Sequence, residues 1–191
     1  MIKKILKAKF IMILGFPFLI LLFIIFLVLL VCNVSVGSNE MVKPNTFYVP
    51  FSDEVNYSIS SEFGYRTNPL TNEETKLHTG IDLVAPEGTD ILASCDGYVI
   101  KTGYAPENFG NYVYIEHNID GKIYYTAYGH MANDSIVVSV GGQVHAKDKI
   151  GVIGATGKVT GTHLHFSIMS PNPKLTKENL INPRELLTDL K

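Results

Sequence analysis

The chain reads as an all-β domain, an antiparallel sheet closing into a barrel-like sandwich, carried behind one N-terminal transmembrane helix. Two observations predict the β domain. Short runs rich in Val, Ile, Tyr and Thr recur every 8–14 residues or so, with Gly, Asn, Asp or Pro between them. Helical signals are scarce beyond residue 40. A third observation predicts the helix: Phe10 to Cys32 carries no charge and consists almost entirely of Ile, Leu, Phe and Val, and roughly 20 apolar residues span a bilayer core.

Residues 1–9 contain Lys3, Lys4, Lys7 and Lys9, and no acid precedes Glu40. Positive charge stays on the cytoplasmic side, so 1–9 is expected inside, 10–32 across the membrane and the remainder outside. Pro17 falls within the span, where a membrane helix tolerates it. A cleaved signal peptide is the first alternative. Its apolar region is shorter, roughly 7–15 residues, and Val34-Ser35-Val36-Gly37-Ser38 is a poor cleavage site. Lipidation at Cys32 is the second, and Leu29-Leu30-Val31 supplies no small residue for it. All three readings export the rest of the chain.

Residues 33–56 are polar, include Pro44 and Pro50, and read as an extracytoplasmic tether. The globular domain is expected over 57–172. Its runs begin with Asp90–Ser94 and Tyr98–Lys101, on either side of Asp96-Gly97, and continue with Asn111–His117. Asn118-Ile119-Asp120-Gly121 then predicts a hairpin turn, because Asp-Gly accepts positive φ. The return strand is Lys122–Tyr128, and further strands are expected at Ile136–Val140, Lys149–Ile153 and Thr162–Met169. In the C-terminal extension, 173–191, Asn182-Pro183 is a cap followed by Pro at the first helical position and predicts a helical turn or two.

Charge and cysteines narrow the function. Without the four N-terminal lysines the balance is 12 Lys and Arg against 18 Asp and Glu, about −6. A mildly acidic exported domain is a poor nucleic-acid binder. Cys32 and Cys95 are the only cysteines. Cys95 lies in an apolar run and is expected to pack as a small hydrophobe.

The chemistry is concentrated in histidines. His163 and His165 alternate within an apolar strand, so both face one side of a sheet. Two imidazoles there are costly to bury without partners and point to a polar cleft or a metal. His78 and Asp82, in His78-Thr79-Gly80-Ile81-Asp82, add a nitrogen and a carboxylate. Two nitrogens and one carboxylate around an open fourth position are typical of a catalytic zinc site. His130 ends a strand and starts a loop, a place where functional groups concentrate. His117 reads as a solvated or strand-capping residue, and His145 as part of a polar surface turn. Spacing alone leaves open which of His163 and His165 would ligate. Gly151-Val152-Ile153-Gly154-Ala155-Thr156-Gly157 lacks the Gly-Lys-Ser/Thr ending of a phosphate loop and reads as turns between strands.

His78-x-x-x-Asp82, Tyr128-x-His130 and His163-x-His165 resemble the three signature motifs of the lysostaphin-type (LytM-type) zinc metallopeptidases. Phe63-Gly64-Tyr65-Arg66, Gly110-Asn111-Tyr112-Val113 and Gly154-Ala155-Thr156-Gly157 are similar too, so the likeness covers about residues 58–170. The resemblance implies an antiparallel, barrel-like β core with the site in a groove, and cleavage of peptide bonds in bacterial peptidoglycan. It implies Zn2+ held by His78, Asp82 and His165, with His130 and His163 as the catalytic, non-ligand histidines. Arg66 either pairs with a substrate carboxylate or forms an ion pair within the protein. Glycine-bridge-cutting members resemble one another in a tyrosine shortly before the metal histidine. Leu70–Leu77 has none, so a bond in or between stem peptides is the expected target.

The expectation is therefore a membrane-anchored zinc endopeptidase acting on peptidoglycan peptides outside the cytoplasmic membrane, with room for a protein partner. The rival is a scaffold of the same fold that recruits or activates other envelope machinery without cutting. Such members usually lose metal ligands, whereas all five site residues are present here.

Overall fold

The computed structural model describes residues 43, 45–67 and 74–191. Its strands are β1 (Ser58–Ser61), β2 (Gly64–Thr67), β3 (Glu74–His78), β4 (Ile81–Val84), β5 (Asp90–Leu92) and β6 (Gly97–Ala105). They continue with β7 (Gly110–Ile119), β8 (Lys122–Met131), β9 (Gln143–Val144), β10 (Lys149–Val152), β11 (Leu164–Met169) and β12 (Leu180–Ile181). The main sheet runs β1-β4-β11-β8-β7-β6-β9, with β12 continuing beside the far end of β11. Two ribbons, β5–β10 and β2–β3, complete the fold, and all strand pairs are antiparallel. The all-β prediction holds for the described residues. The transmembrane helix expected over 10–32 lies outside them, and among them no helix is long and apolar enough to cross a membrane.

The hairpin of β7 and β8 turns where Asp-Gly predicts. Asp120 and Gly121 have φ of 53° and 83°, as a type I′ turn needs, and Asn118 Oδ1 accepts the Gly121 amide at 3.0 Å. The two runs on either side of Asp96-Gly97 are strands that do not pair with each other: β5 pairs with β10, while β6 pairs with β7 and β9. One expectation fails. Ile136–Val140, expected as a strand, joins no ladder. Ile136 and Val138 pack against the core, whereas Val137 and Val140 are exposed. The alternation is that of a strand, and the Val137 amide donates to the Ile150 carbonyl of β10 at 3.1 Å, a contact that does not extend into a ladder.

Alternation sorts the main sheet into two faces. Ile81 and Leu83 of β4, Tyr128 of β8, and Leu164, Phe166 and Ile168 of β11 enter the main core with Ile91 and Ile150 of the ribbon. Asp82, His165 and Ser167 therefore lie on the opposite face, which carries a smaller cluster of Phe109, Tyr125, Ala127 and Met169. Burying an aromatic or branched side chain of the main core contributes about 1.5–3 kcal/mol. That core fixes the register, and the register pairs His165 directly with Asp82.

The division expected at residue 57 is not where the packing divides. Residues 43–191 form one compact unit. Phe47, Val49 and Phe51, expected in the tether, are buried in the main core. Phe47 bridges Leu187, and Asp189 Oδ1 accepts the Val49 amide at 2.6 Å. The extension beyond 172 is also part of this unit. It supplies β12 and a 3-10 helix, Pro183–Glu185, capped by Asn182 Oδ1 on the Arg184 amide at 3.1 Å.

Candidate metal centre and groove

His78 ends β3, Asp82 lies in β4 and His165 in β11. Only Gly80 allows the short link between the first two. A Cβ there would lie 2.1 Å from the Phe166 carbonyl oxygen, so any side chain would push β4 off β11. The three donor atoms form a small triangle. His78 Nε2 is 3.0 Å from Asp82 Oδ1 and 3.0 Å from His165 Nδ1, and His165 Nδ1 is 2.8 Å from Asp82 Oδ1. Among the described residues this is the group of His, Cys, Asp and Glu side chains placed to hold a metal ion.

Hydrogen bonding behind the triangle fits a cation at its centre. His78 Nδ1 lies 2.7 Å from the Glu62 carbonyl oxygen. A carbonyl only accepts, so Nδ1 carries the proton and Nε2 of the neutral ring presents a lone pair. That lone pair faces a carboxylate oxygen at 3.0 Å. Two acceptors at that distance require a proton or a cation between them. His165 Nε2 has Ser167 Oγ at 3.0 Å and Thr79 Oγ1 at 3.2 Å, either able to accept its proton and leave Nδ1 bare. Outer partners of this kind fix the tautomers of metal-binding imidazoles. The triangle's edges are somewhat shorter than the roughly 3.3 Å between neighbouring tetrahedral zinc ligands. Two imidazoles and a carboxylate match zinc by ligand type as well.

His130 and His163 lie beside the triangle. Their ring centroids are 4.7 Å apart, and His163 Nε2 is 3.8 Å from Asp82 Oδ1. Strict alternation would send His130 into the core with Tyr128. A β-bulge prevents this. Tyr112 alone, between Asn111 and Val113, faces Gly129 and His130 together, and His130 takes φ of 62°. The bulge turns its ring onto Phe109, nearly parallel at 17°. His130 Nδ1–H donates to the Thr156 carbonyl at 2.9 Å, and His163 Nδ1–H to the Gly161 carbonyl at 2.9 Å. Each ring therefore keeps Nε2 for the groove. Burial pushes the His130 imidazole down to about 4 and also lowers His165, against the pull of Asp82. Burial alone would raise the Asp82 carboxyl, but the close contact with the His165 and His78 rings outweighs it and holds it well below the usual carboxylate range.

All five residues line one groove of about 590 Å³, with Arg66 on its wall. Arg66 Nη2 is 3.5 Å from Asp82 Oδ2, an ion pair within the protein, with half of the Arg66 side chain exposed. His117 and His145 take no part. His117 is fully buried rather than solvated, its ring bonded to the Asp96 carbonyl and the Thr126 hydroxyl, both at 2.8 Å. His145 is exposed on a turn. Sequence reasoning missed Phe109, Thr156 and Glu62. Phe109 stands in a segment too short to classify, and the other two act through main-chain carbonyls, which carry no side-chain signature. Ser167 was findable, because it stands two residues after His165 on the same strand face.

Known proteins are similar to this chain in sequence and fold. The peptidoglycan DD-endopeptidase ShyC of Vibrio cholerae is 43% identical over 112 residues, 58% of this chain and 24% of that protein. Curated relatives of this kind are long, and the chain spans about a quarter to a third of their length. Among solved structures, a zinc-containing peptidase from Vibrio cholerae superposes with a TM-score of 0.58 at 34% identity, covering 72% of this chain and 39% of that one. The catalytic domain of lysostaphin from Staphylococcus simulans gives 0.58 at 27% identity, covering 68% and 91%. The model of peptidase family M23 matches residues 76–183, more than half of the sequence and all of the candidate site except Glu62 and Arg66. The chain belongs to peptidase family M23.

Proposed function

We propose that the protein is a zinc endopeptidase that hydrolyses peptide bonds in bacterial peptidoglycan, held at the outer face of the cytoplasmic membrane by residues 10–32. The observation that carries this reading is the triangle of His78 Nε2, Asp82 Oδ1 and His165 Nδ1, flanked by two histidines that are not part of it. These three atoms would hold the ion. When bound, zinc supplies Lewis acidity toward a water molecule and a peptide carbonyl. Among the described residues the group has no fourth donor, which leaves room for them.

The protein's own part is proton handling and positioning. With Nδ1–H of His130 and of His163 committed to carbonyls, Nε2 of each ring is the working atom. As a neutral base it takes a proton from water, and once protonated it donates to the developing oxyanion or the leaving amine. Hydrogen bonding to Thr156 and the face of Phe109 hold His130 in place. Arg66 steadies the second oxygen of Asp82 from the groove wall, where a guanidinium can meet a carboxylate of the substrate. A target between stem peptides is supported by the name of the DD-endopeptidase relative and by the absence of tyrosine from Leu70–Leu77. The anchor rests on the uncharged run and the four lysines before it.

Digestion of purified, cross-linked peptidoglycan by the full chain tests the proposal, with products identified by mass. The expected result is loss of stem-to-stem cross-links with one new amine per cut, abolished by chelation and restored by zinc. Intact cross-links from several peptidoglycan types, with zinc bound, would favour the non-cutting scaffold.

A further inference from the structure

His78 is held from behind by a main-chain atom, the Glu62 carbonyl. What keeps that carbonyl in place is distant in sequence. Glu62 follows the end of β1, just beyond a bulge between Ile59 and Ser61 that ends in the pairing of Ser61 with Asp82. Its own side chain is gripped by the C-terminal segment. Arg184 Nε donates to Glu62 Oε2 at 2.9 Å and Arg184 Nη2 to Oε1 at 2.7 Å, a two-pronged, nearly parallel contact. The grip lowers the Glu62 carboxyl and raises the Arg184 guanidinium, with hydrogen bonding the largest cause in each.

Arg184 is itself well placed. It lies in the 3-10 helix, its amide capped by Asn182 Oδ1, immediately after β12, which pairs with β11, the strand of His165. One C-terminal segment thus braces the strand carrying one imidazole and clamps the residue that orients another. Glu62 and Arg184 both fall outside the stretch matched by the family model, one on each side of 76–183.

We infer that the Arg184–Glu62 pair is a positioning clamp for the metal centre, setting the Glu62 carbonyl against His78 Nδ1–H and so raising the affinity of the site for zinc. An exposed ion pair ordinarily contributes little, and this one is about half exposed. Bidentate arginine–carboxylate geometry is the exception, because it fixes orientation as well as distance. Losing an outer partner of a metal-binding histidine typically costs about 10–100-fold in affinity. The clamp acts one bond further out, on the backbone that bears the partner, so the low end of that range is expected. The inference rests on the zinc reading of the triangle.

The test measures the zinc dissociation constant of the full chain by competition with a chromophoric chelator. Wild type is compared with Arg184→Met, Glu62→Gln and the charge-exchanged double variant Glu62→Arg/Arg184→Glu, and the melting temperature of each is taken without metal. The clamp predicts a roughly tenfold weaker constant in both single variants. It also predicts recovery to within about threefold in the exchanged pair, and metal-free melting temperatures close to wild type. Unchanged zinc affinity in Glu62→Gln and Arg184→Met would overturn it. So would weakened affinity in step with a lowered metal-free melting temperature and no recovery on exchange, because that pattern is general destabilisation. If wild type binds no zinc, the reading of the triangle fails instead, which is a distinguishable result.

Discussion

His78, Asp82 and His165 are separated by up to 87 positions in sequence, yet their donor atoms meet within 3.0 Å. Each has a different reason for being there: a tight link through Gly80, a strand face and a hydroxyl-fixed tautomer. Replacing any of the three by Ala is expected to weaken zinc binding by more than about 100-fold, since losing only an outer partner costs 10–100-fold. Metal content after dialysis checks this. These side chains were legible from residue type and spacing together. The conformation of His130 was not, because a bulge depends on what lies across the sheet and leaves no residue pattern. His117 was misread for a related reason, since its environment is made by strands and turns elsewhere in the chain. Burial pushes it down to about 4, against about 6.5 when unfolded. The unfolded state therefore binds the extra proton between those values. Stability is complete above about pH 6.5 and is lost as pH falls toward 4, His117 contributing on the order of 3 kcal/mol. Urea unfolding of metal-free protein across that range should show a shallower pH dependence for His117→Gln than for wild type.

At the scale of elements, β4 and β11 are the pair on which the site depends. Their inner residues, Ile81, Leu83, Leu164, Phe166 and Ile168, belong to the core, and their outer residues, Asp82 and His165, to the site. A one-residue slip would exchange the two sets. Gly80→Ala is the sharpest probe of this coupling, because its Cβ would collide with the Phe166 carbonyl at 2.1 Å. Overpacking costs typically 1–3 kcal/mol, and backbone against backbone belongs at the upper end. Thermal unfolding should show that loss together with weakened zinc binding, since the same shift separates His78 from His165. Strands with a sequence-adjacent partner, such as β7 and β8, were legible from their turn. The partner of β5 and the lack of a ladder at Ile136–Val140 were not, because alternation says that one face is buried but not which strand lies alongside.

For the molecule as a whole, the ends of the described chain close the core rather than hang from it. Phe47, Val49 and Phe51 are buried, and Lys147 Nζ draws the two ends together through the Phe51 carbonyl at 3.1 Å and Asp189 Oδ2 at 3.3 Å. Composition around Pro44 and Pro50 suggested a tether because three apolar residues among polar ones are a weak pattern until the surface they cover is known. Phe47→Ala is expected to destabilise by about 3–5 kcal/mol. A chain beginning at residue 57 should aggregate or unfold, while one beginning at 43 keeps a cooperative transition, as circular dichroism melting would show. The central claim is a metal triangle with two working histidines beside it. It is tested most directly by measuring zinc content and release of new amino groups from peptidoglycan, for the full chain and for His163→Ala. The account predicts zinc retained in both, with cleavage in the variant reduced by about 10²–10⁴. Loss of zinc from His163→Ala, or undiminished cleavage by it, would contradict the separation of ligand from catalyst within His163-Leu164-His165.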